Sequence, residues 1–137
     1  MSMTPMADRV LNELDRRRLT LLRARHPERD IPPELDELID AADTAPPAAV
    51  PPDRLTMYSQ FLVEDVDSGA RNTLVLCYPA DSEPAAGYIS VLSPLGAALL
   101  GQRVGDMARW RAPDGTRKSL RVAALLFQPE ASGDYTL

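Results

Sequence analysis

The spacing of apolar residues in the first third of the chain predicts two helices. From Ala7 to Arg25 there is neither glycine nor proline, and five apolar residues fall roughly on one helical face: Val10, Leu11, Leu14, Leu21 and Leu22. His26-Pro27 ends this helix, because the residue before a proline is pushed out of the α region. A second helix begins near Pro33, with apolar positions spaced i, i+3, i+4 and i+7: Leu35, Leu38, Ile39 and Ala42.

The two predicted helices carry opposite charge, which favours their pairing. Residues 7–25 contain 6 Arg and 3 acids, whereas residues 28–43 contain 7 acids and 1 Arg. A short turn at 26–32 makes them antiparallel neighbours, so we predict a short two-helix hairpin of the coiled-coil type. At 1.5 Å per residue, the first helix is roughly 28 Å long and the second roughly 16 Å.

A proline-rich segment follows the second helix. Residues 44–53, TAPPAAVPPD, contain four prolines and predict a stiff, extended connector. We therefore divide the chain into residues 1–53, the hairpin with its connector, and residues 54–137, a second domain.

After the connector the apolar pattern changes to a period of two, which is typical of strands. Strands are predicted over 55–63, 72–78, 88–92, 107–111 and 118–128. The first is expected to place Met57, Ser59, Phe61 and Val63 on one face, and the last to place Leu120, Val122, Ala124 and Leu126 on one face. Turns are indicated at Asp67–Gly69 and Pro113–Gly115. A helix over 94–100 begins after Ser93 as N-cap and ends at Gly101. The fold class is α+β, with an antiparallel sheet and one short helix in the second domain.

Composition narrows the possible functions. The net charge is −5, with the acidity concentrated in residues 1–53, which argues against direct, sequence-specific nucleic-acid binding. The first residues lack the apolar core of a signal peptide, and no stretch is long enough to span a membrane. We expect a cytoplasmic protein. A single cysteine, Cys77, excludes an internal disulfide, and its strand position predicts a buried, inert thiol.

Residue types that carry catalysis or bind cofactors are sparse. One His and one Cys cannot form a structural zinc site, and no phosphate-binding glycine loop occurs, so neither a metal nor a cofactor is expected. Glu28 and Asp30 lie in the predicted hairpin turn. They are interpreted as solvated loop residues, with a divalent-cation site at the hairpin tip as the alternative.

Several spaced motifs resemble those of a known family. The run Ser93-Pro94-Leu95-Gly96-Ala97-Ala98-Leu99-Leu100-Gly101, followed by Val104-Gly105-Asp106 and Pro113-Asp114-Gly115, resembles the C-terminal domain of the Gre transcript-cleavage factors. Leu55-Thr56-Met57 with Ser59, Gln128-Pro129-Glu130-Ala131 and Gly133-Asp134-Tyr135 are similar to the Rnk branch of these factors. The resemblance covers residues 54–137 and, by architecture, the hairpin.

The resemblance implies a fold and a partner. Residues 54–137 would adopt a fold like that of the FK506-binding proteins and dock on a coiled coil of the large RNA polymerase subunit, at the rim of the secondary channel. The docking residues carried over are Ser93, Pro94 and Leu95. Gre factors have much longer helical arms with acidic tips, so Glu28 and Asp30 would stop short of the polymerase active site. A regulator that competes with Gre factors and is not an enzyme is expected.

Two other functions remain open. A prolyl isomerase is suggested by the implied fold, but the seven aromatic residues are spread over separate strands instead of lining one pocket. A generic interaction module could pair its hairpin with a second copy. We expect a monomer, because each helical stripe is already used within the hairpin.

Overall fold

Two helices and a short parallel strand pair form the first part of the structure. The computed structural model describes residues 9–25, 31–112 and 114–133. Strand β1 (Val10–Asn12) precedes helix α1 (Glu13–Arg25), and helix α2 (Pro33–Ala41) precedes strand β2 (Asp43–Ala45). β1 and β2 pair in parallel. Arg23 of α1 reaches both Asp36 and Asp40 of α2 at 3.2 Å, so the predicted charge pairing between the helices is confirmed there.

The start and the apolar face of the first helix differ from the prediction. Val10–Asn12 is a strand, and the Asn12 side-chain oxygen accepts a hydrogen bond of 2.9 Å from the Leu14 N–H, which caps α1. Leu11 and Leu19 are buried, whereas Leu21 is 44% exposed. The predicted stripe was therefore partly wrong, because its register assumed a helix that began before the cap.

The second helix agrees with its pattern. α2 begins at Pro33, and its three buried residues are those of the predicted stripe, Leu35, Leu38 and Ile39. The connector prediction was too simple, since β2 and a 3₁₀ turn at Pro47–Ala49 lie between Asp43 and Val50. Val50 is also buried. Prolines exclude a regular α-helix here, but they permit an edge strand and a short 3₁₀ turn.

A five-stranded sheet forms the second part. Its strands are β3 (Gln60–Asp65), β4 (Arg71–Cys77), β5 (Tyr88–Ser90), β6 (Met107–Arg111) and β7 (Arg117–Phe127), in the order β5-β4-β3-β7-β6. Helix α3 (Pro94–Leu99) packs against β6 and β5. The sheet is not purely antiparallel as predicted, because β4 and β5 pair in parallel. Ten residues with two 3₁₀ turns separate these strands, which is enough chain for a crossover in place of a hairpin.

The side chains of strand β7 switch to the opposite faces of the sheet partway along the strand. Val63 pairs with Val122 and Leu62 with Ala124, so one residue of β7 is left over between them. Such a bulge moves the following side chains to the opposite face. Consequently Leu125 packs against the core while Leu126 is 54% exposed, which corrects the prediction that Leu126 shares a face with Val122. The face predicted for residues 57–63 is confirmed, and all four of its members are buried.

One hydrophobic cluster joins both parts of the chain. It contains Leu11, Leu19, Leu35 and Leu38 from the first part and Leu55, Phe61, Leu76, Leu99 and Val122 from the second. The division after residue 53 stays a prediction. The shared core fixes the helices against the sheet, and it holds α3 between α2 and β6.

Candidate functional site

The start of α3 is a corner fixed by hydrogen bonds. The Ser93 hydroxyl accepts a hydrogen bond of 3.0 Å from the Gly96 N–H and donates one of 2.7 Å to the Ser90 carbonyl. The Ser90 hydroxyl accepts from the Leu92 N–H at 3.1 Å. Ser93 is thus the N-cap, as predicted, and it also ties the helix to the end of β5. Pro94 at the first helical position needs no N–H partner.

Gly96 permits a close approach between α3 and β5. A Cβ atom built at residue 96 would lie 2.1 Å from the carbonyl oxygen of Ser90. No real side chain tolerates that distance, so glycine is required here for packing, although the residue lies inside a helix. Ser93, Pro94 and Gly96 of the predicted motif therefore act together: the first two cap and start α3, and Gly96 lets the helix pack closely against β5.

The three predicted docking residues differ in exposure. Pro94 is exposed, Ser93 is half-buried, and Leu95 is half-buried and packs against the core. Pro94 lies between two shallow grooves that also share Trp110. One groove, of about 520 Å³, extends to Ile31 and Pro33, and the other, of about 430 Å³, extends to Pro84 and Ile89. Pro94 and Trp110 thus form an apolar ridge accessible to a partner.

A buried arginine, Arg9, caps the C-terminal end of α3. The Arg9 guanidinium donates hydrogen bonds of 2.6 to 2.9 Å to the carbonyls of Ala97 and Leu100, and its Nη1 lies 2.9 Å from a Glu34 carboxylate oxygen. A cation at the end of a helix satisfies carbonyls that have no partner within the helix. Burial lowers the pKa of Arg9, and the negative charge of Glu34 opposes that shift. Sequence reasoning missed this role, because the partners lie 88 and 91 positions away.

A buried polar network joins the segments that carry the resemblance. The Thr56 hydroxyl donates a 2.7 Å hydrogen bond to one oxygen of Glu130, and the Asn12 amide donates one of 2.7 Å to the other. Ser59 also lies 2.8 Å from the Thr56 hydroxyl. The sequence identified the segments 55–59 and 128–131 separately, whereas the structure shows that they contact each other and the cap of α1.

Asp15 lies beside this network and is itself buried. Its carboxylate accepts hydrogen bonds from the Met57 N–H at 3.3 Å and from the Tyr78 hydroxyl at 3.5 Å. Desolvation, assisted by the negative charge of Glu130, raises the pKa of Asp15 to about 7, although the Met57 N–H and Arg18 oppose the shift. The protonation of Asp15 therefore changes near neutral pH.

Other predicted residues contribute less. Glu28, Asp30 and His26 lie outside the described residues. In the described part of the chain, no group of three or more His, Cys, Asp or Glu side chains could hold a metal ion. Cys77 is buried and free, as predicted, and burial raises the pKa of its thiol. No helix among the described residues has the length and apolar character needed to cross a membrane.

A family model and named relatives identify the class of protein, a transcription-elongation-factor-like regulator. The family described as "Transcription elongation factor, GreA/GreB, C-term" matches residues 50–126. The "Regulator of nucleoside diphosphate kinase" of Escherichia coli K12 is 36% identical over 93% of this chain and 96% of its own length. The chain therefore belongs to the Rnk family, the regulators of nucleoside diphosphate kinase, and contains a GreA/GreB C-terminal domain.

Two further relatives show how far the similarity extends. The "Transcription elongation factor GreA" of Solidesulfovibrio magneticus is 42% identical over 53% of this chain but over only 44% of its own length. The solved structure of a "Prokaryotic transcription elongation factor GreA/GreB from Nitrosomonas europaea" is 29% identical, with a TM-score of 0.74, and covers 87% of this chain and 99% of that one. These relatives are named as regulators or transcription factors.

Proposed function

We propose that this protein binds RNA polymerase at the rim of the secondary channel, with the start of α3 against a coiled coil of the large subunit. The observation that carries the proposal is the exposed Pro94, held in position by the Ser93 cap and by the contact between Gly96 and Ser90. A contact residue on a rigid corner loses little conformational entropy on binding. The apolar grooves beside Pro94 offer room for side chains of a partner helix.

The proposal includes the finer fold features that the resemblance implies. Residues 54–137 act as a docking domain with a fold like that of the FK506-binding proteins. Residues 1–53 contain the hairpin and its connector, and the helices α1 and α2 form a short coiled-coil hairpin that enters the channel. The chain works as a monomer and has no enzymatic activity of its own. The relatives' names support a regulator in place of an isomerase.

Because the hairpin is short, we propose that the protein occupies the channel without stimulating RNA cleavage. α1 has 13 residues and α2 has 9, so they are roughly 20 Å and roughly 14 Å long. The resemblance to Gre factors implies that those factors reach the active site with much longer arms. An arm this short leaves Glu28 and Asp30 away from the catalytic metal. The protein then competes with Gre factors for the channel rim.

Binding to purified RNA polymerase tests the docking proposal. We expect saturable binding that a Gre factor displaces. Pro94→Asn should abolish it, because the substitution replaces the apolar contact at the corner. Pro47→Asn is the matched control, since Pro47 begins a 3₁₀ turn outside α3. Absence of binding at micromolar protein, or equal loss in both variants, would contradict the proposal.

Stalled elongation complexes test the claim that the protein does not stimulate cleavage. Adding the protein alone should leave the nascent RNA intact. Adding it to complexes that contain a Gre factor should slow the cleavage which that factor stimulates. If the protein alone shortens the transcripts, the hairpin reaches the active site and the second half of the proposal is wrong.

A further inference from the structure

Strand β6 is an edge strand whose outer backbone groups have no partner in the described chain. Within the part of the chain that the structure describes, it pairs only with β7. Hydrogen bonds from Val122 N–H to the Asp106 carbonyl, 2.9 Å, and from Ala112 N–H to the Thr116 carbonyl, 2.8 Å, mark the two ends of that pairing. Because bonding alternates along an antiparallel pair, Ala108 and Trp110 bond to β7, whereas Arg109 and Arg111 turn their N–H and C=O groups to the free edge. Met107 has the same orientation but is buried, so the accessible edge begins at Arg109.

The same edge residues belong to an arginine-rich face of the sheet. Period-two alternation and the strand register place five arginines on this face: Arg71, Arg109, Arg111, Arg117 and Arg121. Glu64 neutralises part of this charge, since it lies 2.9 Å from both Arg71 and Arg121. Arg109, Arg111 and Arg117 are exposed, and none of them has an ion pair among the described residues. In a chain of net charge −5 this is a concentrated positive surface.

The opposite side of the β6 edge carries Trp110, whose cross-strand neighbour on β7 is Lys118. Trp110 alternates with the two arginines, is half-buried, and packs against the core. Both grooves beside Pro94 include Trp110 and Arg111 among their lining residues. A chain lying along the edge would therefore meet the arginines on one side and Trp110, beside Lys118, on the other.

We propose that the β6 edge binds an extended peptide in which acidic and apolar residues alternate, as an added strand of the sheet. An added strand lies about 4.8 Å from its neighbour, and its side chains alternate between the two faces. Residues opposite Arg109 and Arg111 would then place carboxylates beside the guanidinium groups, and the residues between them would cover Trp110. Arginine favours such carboxylate pairing because its planar donors match both oxygens.

The backbone pairing selects a peptide over a nucleic acid. A phosphodiester chain can contact the arginines, but it lacks the alternating N–H and C=O groups that the β6 edge requires. The negative charge of the whole protein also opposes polynucleotide binding. The arginines have a second effect at an edge that is otherwise prone to aggregation. They repel basic strands, and they make pairing with a neutral strand costly because their charges would be desolvated without a partner. The ligand is thus a further partner, and its site shares Trp110 and Arg111 with the grooves beside Pro94.

The experiment uses the full chain and a fluorescent peptide of about six residues, with Glu and Val alternating. Fluorescence anisotropy should show saturable binding, and a peptide with Lys in place of Glu should not bind. Arg109→Glu combined with Arg111→Glu should weaken binding by at least about tenfold. Arg17→Glu on α1, an exposed arginine away from the sheet, is the control for charge and should change the affinity less than about twofold.

A second pair of variants separates backbone pairing from charge. Arg109→Gln removes only the charge, whereas Arg109→Pro also removes the outward N–H, which an edge strand tolerates. Proline should weaken binding beyond glutamine by about fivefold, the equivalent of one hydrogen bond. In NMR spectra the amides of Arg109 and Arg111 should shift more than those of Ala108 and Trp110.

Three results would overturn the inference. One is the absence of saturable peptide binding at millimolar concentration by the folded protein. Another is equal loss of affinity in Arg17→Glu and in the β6 variants, which would show unspecific attraction. The third is binding of a single-stranded RNA oligomer at the arginines while the peptide fails to bind. Circular dichroism of each variant confirms that it is folded before binding is measured.

Discussion

The Thr56 hydroxyl lies 2.7 Å from a carboxylate oxygen of Glu130 and donates a hydrogen bond to it across 74 positions of sequence. Both side chains are buried, and Asn12 contacts the other oxygen of the same carboxylate. This contact joins the beginning of the sheet domain to the segment that follows β7 and to the cap of α1. Several predictions about stability and pH depend on this network and on the ends of α3.

Replacing Thr56 with valine should destabilise the fold. The substitution keeps the shape but leaves a buried carboxylate oxygen of Glu130 without its donor, and hydrogen bonds to charged groups contribute about 2 kcal/mol. We expect the free energy of unfolding in urea to fall by about that amount. Thr73→Val on the exposed surface of β4 is the control and should change it by less than about 0.5 kcal/mol. Equal effects would show that the Thr56 hydroxyl contributes nothing specific.

The pH dependence of stability should contain a contribution from Asp15. Its pKa rises from 3.8 to about 7 on folding, so the folded state holds the proton more tightly than the unfolded state. The contribution is therefore complete below about pH 4 and is lost as the pH rises to about 7. The shift corresponds to about 4 kcal/mol.

Asp15→Asn removes this titration while it keeps an oxygen that can accept from the Met57 N–H. Relative to the parent, the variant should gain stability between about pH 4 and about pH 7, measured by urea unfolding at several pH values. Asp67→Asn in the exposed turn after β3 is the control and should leave the pH profile unchanged. A variant profile parallel to that of the parent would contradict the role of Asp15.

Arg9→Met should be strongly destabilising, although it preserves most of the apolar volume. It would leave the carbonyls of Ala97 and Leu100 buried without their donor and Glu34 without its cation. Removing one member of a buried, charge-assisted contact costs about 3 to 5 kcal/mol. Arg17→Met on the exposed side of α1 should cost less than about 0.5 kcal/mol. Comparing the thermal unfolding of the two variants would show whether the contacts of Arg9 at the end of α3 stabilise the protein by this amount.

Gly96→Ala should destabilise the protein, opposite to the helix-propensity expectation of a gain of about 1 kcal/mol. The added methyl group would lie 2.1 Å from the Ser90 carbonyl oxygen, so α3 must move away from β5. Overpacking of this kind costs about 1 to 3 kcal/mol. Because the movement displaces Pro94, the variant should also bind polymerase more weakly. A gain in stability would show that α3 and β5 are not pressed together at this residue.

Local residue patterns predicted the elements whose causes lie within a few neighbouring positions. Ser93, Pro94 and Gly101 defined the limits of α3, and the period-two pattern identified the inward side of residues 57–63. The α2 stripe was also confirmed. The charge contrast between the first two helices was a local property too, and the Arg23 contacts show its result.

Features that depend on distant partners could not be read from such patterns. Val10–Asn12 looks helical by itself and becomes a strand because Asp43–Ala45 lies beside it. The outward turn of Leu126 results from a bulge, which is an extra residue relative to β3 and has no local marker. The contact between Arg9 and Glu34 could not be predicted from the sequence, because the two residues meet only where Arg9 binds the end of α3.

The sequence by itself determined the family motifs, the helix caps and the α+β class, because short-range sterics and hydrogen bonds act between neighbouring residues. Only the tertiary structure decided which polar side chains are buried together. Arg9, Asp15, Thr56 and Glu130 are ordinary surface-type residues in the sequence. Arg9 caps α3, Asp15 is the pH-sensitive group, and Thr56 and Glu130 belong to the buried network. These roles follow from desolvation and from partners that lie far along the chain.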